Sequence, residues 1–297
     1  MMPKQAASGR IPHIDAHHHL WCYRQEEFAW IDDASSALRR DFAVCDLLHA
    51  MDLASIDTAI AVQARESLEE TRWLLQTASE HPRICAVVGW VPLADRDLPH
   101  LLDSFHNCQT LAGFRVIAQD QAAGYFDQSA LNNGMRVLTA FNYSFDLLVR
   151  AHQLTEAIRL VDRHPRQSFV LDHAAKPPIH AGRLEPWKSQ LLALAERPNV
   201  VCKLSGLATE AGCRQPFTSS SLRPYLDVCV QAFGCERLLA GSDWPVCLLA
   251  TTYEHWWSML REYFVSFSPG EQAAMFGGNA ARAYSRSTAL CSLAGRA

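Results

Sequence analysis

Ile11-Pro12-His13-Ile14-Asp15-Ala16-His17-His18-His19-Leu20-Trp21 is the stretch on which the reading of this chain turns. Apolar Ile11 and Ile14 lead into an acid and three consecutive histidines, and the pattern breaks at Leu20-Trp21. As a strand its side chains alternate faces, so His17 and His19 point one way and His18 the other. Two imidazoles on one face at the end of a buried strand can hold a metal, or polarise a carbonyl without one. A tag-like tract or a solvated loop would have the same composition. The position argues against that: the tract follows a short polar tail (residues 1–10) and sits at the entry to the first apolar run.

Outward from this stretch, apolar runs recur with helical segments between them. Strands are predicted at 11–16, 58–63, 84–93, 111–117, 145–149, 168–173, 200–205 and 237–243. Helices are predicted near 46–54, 68–80, 98–106, 131–141, 155–163, 186–197 and 222–233, with two more, near 253–264 and 269–285, closing the chain. Pro82 fits the end of a helix rather than its middle. Eight alternations argue for parallel strands with helical crossovers and, at 297 residues, for an α/β fold of the (β/α)₈ TIM-barrel type. An open doubly wound sheet would normally carry a glycine-rich phosphate turn after its first strand, and none is present. No repeat or Ser/Gly/Pro-rich linker divides the chain, so a single domain is expected over 11–297. The longest irregular stretch, 21–42, has the length of a loop that covers an active site.

Bulk composition narrows the function. The chain is 49% hydrophobic and 20% charged, with a net charge of -4, which gives no electrostatic case for nucleic acid or an acidic membrane surface. Residues 1–10 lack the apolar core of a signal peptide, and no segment approaches 18 apolar residues, so a cytoplasmic location is expected. The ten cysteines contain no Cys-x-x-Cys pair, and several lie inside apolar runs, as Cys85 and Cys202 do. They read as reduced structural thiols rather than a zinc ribbon or redox dithiol.

In a barrel the reactive groups sit at the C-terminal ends of strands. That rule selects His17 and His19 on the first strand, His173 on the sixth and Asp243 on the eighth, with Arg115 in the fourth and Lys203 in the seventh. A carboxylate at Asp243 can take a proton from water, and imidazoles opposite it can stabilise an oxyanion, directly or through a metal. The same acid can return its proton to a leaving oxygen, which favours esters and lactones over amides. The residues also have structural readings. His173 could be a core histidine, Asp243 could cap a turn, and Arg115 and Lys203 could be ordinary ion-pair partners. Asp15 and Asp172 are expected to brace backbone or histidines. His152 is placed near the pocket, whereas His49, His81, His100, His106, His164, His180 and His255 read as surface residues.

Taken together, Asp15-Ala16-His17-His18-His19-Leu20-Trp21, Gly113-Phe114-Arg115, Leu171-Asp172-His173, Gly241-Ser242-Asp243-Trp244-Pro245 and Phe276-Gly277-Gly278-Asn279-Ala280-Ala281-Arg282 resemble the amidohydrolase superfamily. The match is nearest its lactonase branch, which includes L-fuconolactonase, L-rhamnonolactonase and pyrone-dicarboxylate lactonase. The resemblance runs from about Ile11 to Tyr284. It implies a (β/α)₈ barrel, Asp243 as base for the hydrolytic water, and His17, His19 and His173 around the substrate carbonyl. It also implies Arg115 as a substrate contact, and Cys202-Lys203-Leu204-Ser205-Gly206 looks like the sugar-lactonase version of that segment. Binuclear members use a lysine or glutamate on the fourth strand and a histidine after the fifth. Here those places read Arg115 and Leu147-Leu148-Val149-Arg150, so two metals are not expected. No metal is expected to be required; the alternative is a single zinc ion held by His17, His19, His173 and Asp243.

The resulting expectation is a hydrolase that opens a sugar-acid lactone, with Trp30 and Trp244, and Trp21 and Trp90 near them, as pocket walls. Its partner would be the small-molecule substrate alone, with no nucleic acid and no membrane. Three alternatives remain. A pyrone or muconolactone substrate would want several cations, and Arg115 and Lys203, with Arg65 and Arg150, are the candidates. A metal-dependent decarboxylase would need a tightly held zinc. A non-catalytic binding barrel would tolerate loss of Asp243.

Overall fold

The structure, a computed structural model, describes residues 11–212 and 218–294; the polar tail expected over 1–10 lies outside the described residues. The apolar runs form β1 (Ile14–His18), β2 (Thr58–Val62), β3 (Ile84–Gly89), β4 (Leu111–Ile117), β5 (Ser144–Leu148), β6 (Phe169–Leu171), β7 (Val200–Leu204) and β8 (Leu238–Ala240). Each strand pairs in parallel with the next. Closure between β8 and β1 lies just past the β8 ladder. His18 bridges Trp244, His19 N donates to Trp244 O at 2.6 Å, and Asp243 N donates to His17 O at 2.8 Å. The histidine tract is therefore the seam of a (β/α)₈ barrel.

Helices α1 (Val44–Leu53), α2 (Leu68–Glu80), α3 (Leu98–Ser104), α4 (Ser129–Ala140), α5 (Leu154–Arg163), α6 (Trp187–Ala195), α7 (Leu207–Ala211), α8 (Ser219–Phe233) and α9 (Tyr253–Phe264) follow the strands in turn. Local chemistry sets their ends. Ser67 caps α2 by accepting from Glu69 N and Glu70 N, Leu74 and Ala78 face the barrel, and the helix stops at His81 before Pro82.

Three strands are markedly shorter than the apolar runs suggest, the first being β3, which ends at Gly89 and not at Leu93. β6 ends at Leu171 and β8 at Ala240, because His173 and Asp243 take positive φ (53° and 61°), a conformation no strand accommodates. The short helix α7 was not legible as a helix, and neither was α12 (Thr288–Ala294).

Beneath the strands, α10 (Pro269–Ala273), a π-helical turn (Ala274–Gly278) and α11 (Asn279–Ala283) run on continuously. Ala280, Ala281 and Tyr284 pack with Ile14, Ile60, Val88 and Leu239, which plugs the barrel floor. A Cβ at Gly277 would lie 2.0 Å from Pro12 O, so only glycine lets this segment approach β1. Asn279 Nδ2 donates to Cys235 O (2.7 Å) and Leu238 O (2.6 Å). The Gly277-Gly278-Asn279 signature is thus a floor clamp.

The nine described cysteines are all free thiols. His164, expected at the surface, is buried, with Nε2 2.8 Å from Asn132 Oδ1. Among the described residues no helix is long and apolar enough to cross a membrane.

Candidate active site

The loop after β6 builds half of the site by strain. His173, Ala174, Ala175 and Lys176 all have positive φ (53°, 47°, 59° and 52°), a left-handed turn made without glycine. Such a conformation costs roughly 1–2 kcal/mol per residue. It is held by Lys176 N donating to His173 O (2.8 Å), by Trp187 Nε1 donating to Ala174 O (2.7 Å), and by full burial of both alanines. Strain of this kind gathers at functional sites. Gly206 (φ 67°) gives the turn room, since a Cβ there would lie 2.8 Å from His173 Nδ1 and 3.2 Å from Asp243 Oδ2.

The four sequence-selected groups meet. Asp243 Oδ1 lies 3.7 Å from His17 Nε2, 3.5 Å from His19 Nε2 and 3.9 Å from His173 Nε2. Each imidazole has its other nitrogen engaged from behind. His19 Nδ1 is 2.8 Å from Val62 O, which can only accept, so Nδ1 carries the proton and the Nε2 lone pair faces Asp243. His173 Nδ1 pairs with Ser205 Oγ at 2.8 Å, and His17 Nδ1 sits 3.3 Å from Asp172 Oδ1 and 3.1 Å from Lys203 Nζ.

Burial holds His17 well below its usual pKa, aided by Lys203, and takes His173 down to about 4; burial also lowers His19. These imidazoles are neutral near pH 7. For Asp243, burial pushes the pKa up, but His173, His19 and Lys176 outweigh it and the net shift is downward. It is a carboxylate at neutral pH.

Neutral imidazole nitrogens converging on a carboxylate, each braced at its second nitrogen, make a donor set suited to zinc. Ligand atoms of His17, His173 and Asp243 lie within 4.8 Å of one another, and His19 Nε2 borders them. Sequence reasoning favoured a site without metal; this donor set fits the single-metal alternative better.

Lys203 departs from its expected place. It was expected at the substrate, yet it is fully buried beneath His17, with Nζ 2.5 Å from Asp146 Oδ2 and 3.0 Å from Asp172 Oδ1. Tyr284 OH donates to Asp146 Oδ2 (2.7 Å), and Arg115 Nη1 pairs with Asp172 Oδ2 (3.1 Å) while its Nη2 donates to Gln63 O. Burial raises Asp146 to about 6 against the pull of Lys203. Burial also raises Asp172, but Lys203, His17 and Arg115 carry it well below the carboxylate range. Asp15 braces the seam, accepting from Ser242 Oγ (2.6 Å), Ser242 N (2.8 Å) and Tyr253 OH (3.0 Å).

Above the histidines lies a cavity of about 250 Å³, lined by His19, Arg115, His173, Lys176 and Asp243, by Trp30, Ile117, Leu148 and Val246, and by Ala64, Gln119 and Asp120. Trp30 thus reaches the pocket from the long loop after β1. Trp244 does not: it is buried edge-on against Phe42, with ring centroids 5.3 Å apart. His152 is exposed and does not line the cavity. Lys176 was missed, because the strand-end rule stops at His173 and the left-handed turn that brings Lys176 back leaves no sequence signal.

A parallel barrel whose mouth gathers three imidazoles and an aspartate is a scaffold of the hydrolytic kind. The chain belongs to the amidohydrolase family, whose model matches residues 14–286. It is 40% identical over 285 residues to an L-fucono-1,5-lactonase of Burkholderia multivorans, covering 91% of this chain and 95% of that protein. It is 37% identical to an L-fucono-1,5-lactonase of Burkholderia ambifaria, covering 91% and 94%. Among solved structures, a zinc-bound amidohydrolase of Burkholderia multivorans superposes with a TM-score of 0.89 at 39% identity, over 92% of this chain and 99% of that one.

Proposed function

We propose that this protein is a lactonase that opens a sugar-acid lactone of the L-fuconolactone type by attack of an activated water on the ring carbonyl. The observation that carries this reading is the near full-length similarity to two L-fucono-1,5-lactonases. The pocket chemistry agrees. The lactone ring lies in the cavity between Trp30 and the histidines, with its carbonyl toward His17, His19 and His173. Asp243, ionised at neutral pH, takes a proton from water as the water oxygen bonds to the acyl carbon. The oxyanion that develops is met by the guanidinium of Arg115, which lines the cavity. When the ring C–O bond breaks, Asp243 returns the proton to the departing oxygen, leaving a hydroxy acid.

His17, His19, His173 and Asp243 would hold a single zinc ion. When bound it acts as a Lewis acid toward the carbonyl. Asp172, Lys203, Val62 O and Ser205 hold the imidazoles turned toward the site.

A dianionic pyrone-type substrate fits less well. The four cations that the sequence offered for it are already ion-paired, Arg115 with Asp172 (3.1 Å), Lys203 with Asp146 (2.5 Å), Arg65 with Glu27 (2.6 Å) and Arg150 with Asp120 (3.0 Å), which leaves Lys176 as a single cavity cation for two carboxylates.

The test is proton release across a panel of neutral sugar lactones and dianionic pyrones, before and after chelation, with metal content measured on the same sample. Turnover of sugar lactones alone, reduced by chelation and restored by zinc, is the expected result. No turnover of any lactone overturns the reading.

A further inference from the structure

The four cations named by sequence are each neutralised by a carboxylate, which leaves the pocket with one ammonium of a different kind. Lys176 lines the same cavity as His19, His173 and Asp243; among the described residues its ammonium makes no hydrogen bond and no ion pair within 4 Å, and the carboxylates of Glu210 and Asp243 act on it only from further off. Its backbone is one of four consecutive left-handed, non-glycine residues, and its N–H closes the turn onto His173 O at 2.8 Å. The imidazole of His173 and the ammonium of Lys176 are thereby presented to one cavity from the two ends of a single strained turn. A long cation gains nothing from that conformation itself; glycine would adopt it more cheaply.

Charge in the reaction is what such a group can answer. Water adds its oxygen to the acyl carbon and the ring C–O bond breaks. One water proton passes through Asp243 to the ring oxygen, and the other leaves to solvent. The product carries one negative charge that the lactone lacked. A cation whose ammonium has no carboxylate in direct contact gains most when that charge appears beside it. Resting on the lactonase reading, we infer that Lys176 is a substrate-binding residue that holds the acyl oxygens of the lactone and the carboxylate formed from them.

The test compares binding of the open-chain sugar acid with that of its alditol, in which CH₂OH replaces the carboxylate. Calorimetry is run on wild-type protein, Lys176→Met, Lys176→Gln and Lys176→Arg. Metal content is matched and folding is checked by circular dichroism. The expected result is a loss in affinity for the acid of about tenfold or more in Lys176→Met and Lys176→Gln, as for a lost hydrogen bond to a charged group. Alditol binding should stay within about twofold, since no charged contact is removed, and Lys176→Arg should restore most of the acid binding.

Equal weakening of acid and alditol, no change in either, or a wild-type protein that binds no sugar acid overturns the inference. Lys176-dependent acid binding in a protein that hydrolyses no lactone would remove the lactonase reading and leave Lys176 as a carboxylate site. Turnover of sugar lactones with acid binding unchanged in Lys176→Met would do the reverse.

Discussion

The buried charge cluster under His17 and the long loop over the cavity are built on opposite terms. In the cluster, Lys203, Asp146, Asp172 and Arg115 are almost wholly shielded from solvent, and each has at least two partners drawn from different strands or from Tyr284. The loop over residues 21–42 folds on a small aromatic core of its own, Trp21, Phe28 and Phe42, and hooks to the barrel through Glu27 and Arg65. Trp30 is left 44% exposed at the cavity edge. The cluster fixes imidazole orientation and tolerates no vacancy. The loop offers a surface to substrate and can change without touching the chemistry.

Between the two regions sits Asp243, where the largest effect is expected. Asp243→Asn keeps the side-chain shape, and asparagine accepts the positive φ found there (61°), so the fold should survive. Turnover should fall by about 10³-fold, the scale of a lost general base, with an unchanged circular dichroism spectrum. Undiminished turnover would revive the non-catalytic barrel.

Breaking the cluster comes next. Lys203→Met leaves Asp146 and Asp172 buried without their shared cation, and removing one partner of a buried pair costs about 3–5 kcal/mol. Denaturant unfolding should register that loss. The double variant Lys203→Met with Asp146→Asn should recover part of it, because one uncompensated charge is then gone. If Lys203→Met is as stable as wild type but weakens substrate binding, Lys203 belongs to the pocket after all, and the contrast between the regions fails.

These two residues also show how far the sequence can be read. Strand β4 and helices α2 and α9 fall on their predicted residues, because apolar period, a Ser cap and Pro82 are local signals. His17, His19, His173 and Asp243 were legible from the strand-end rule alone. Lys203 was located on the correct strand but misread in depth: alternation gives the face of a strand, not how far up the barrel a side chain ends. Its ion-pair partners Asp146 and Asp172 lie 57 and 31 residues away in sequence, out of reach of any local pattern. Lys176 was illegible because four non-glycine residues in a left-handed turn contradict every local preference, and only tertiary packing around Ala174 and Ala175 holds them there.

The hook between the regions gives an intermediate effect. Glu70 is buried and accepts from Ala64 N (3.1 Å) and Arg65 N (2.8 Å), and burial raises its pKa to about 7. Between pH 4.5 and 7 the unfolded chain releases this proton while the folded chain keeps it. Stability contributed by this group is therefore present below pH 4.5 and lost as pH rises through 7. Glu70→Gln keeps an acceptor for both N–H groups and removes the ionisation. Relative to wild type it should gain up to about 3 kcal/mol between pH 4.5 and pH 8 in denaturant unfolding. A parallel pH dependence for the two proteins would show that Glu70 ionises freely and that the hook is open to water.

The smallest effect belongs to the loop. Trp30 stands edge-on to Trp21 at 5.8 Å and is otherwise open to the cavity, so its ring can cover one face of a bound lactone without being part of any buried core. Trp30→Ala removes that face. It should raise KM for a sugar lactone about tenfold, close to the cost of one aromatic contact, while leaving kcat within about twofold, because contact made equally in ground and transition states moves KM alone. A smaller unsubstituted lactone, with less surface to cover, should lose less. Should kcat fall as steeply as KM rises, the loop would be positioning the carbonyl over Asp243 as well as holding the ring, and the division of labour between rigid cluster and adaptable loop would have to be redrawn with Trp30 on the side of the chemistry.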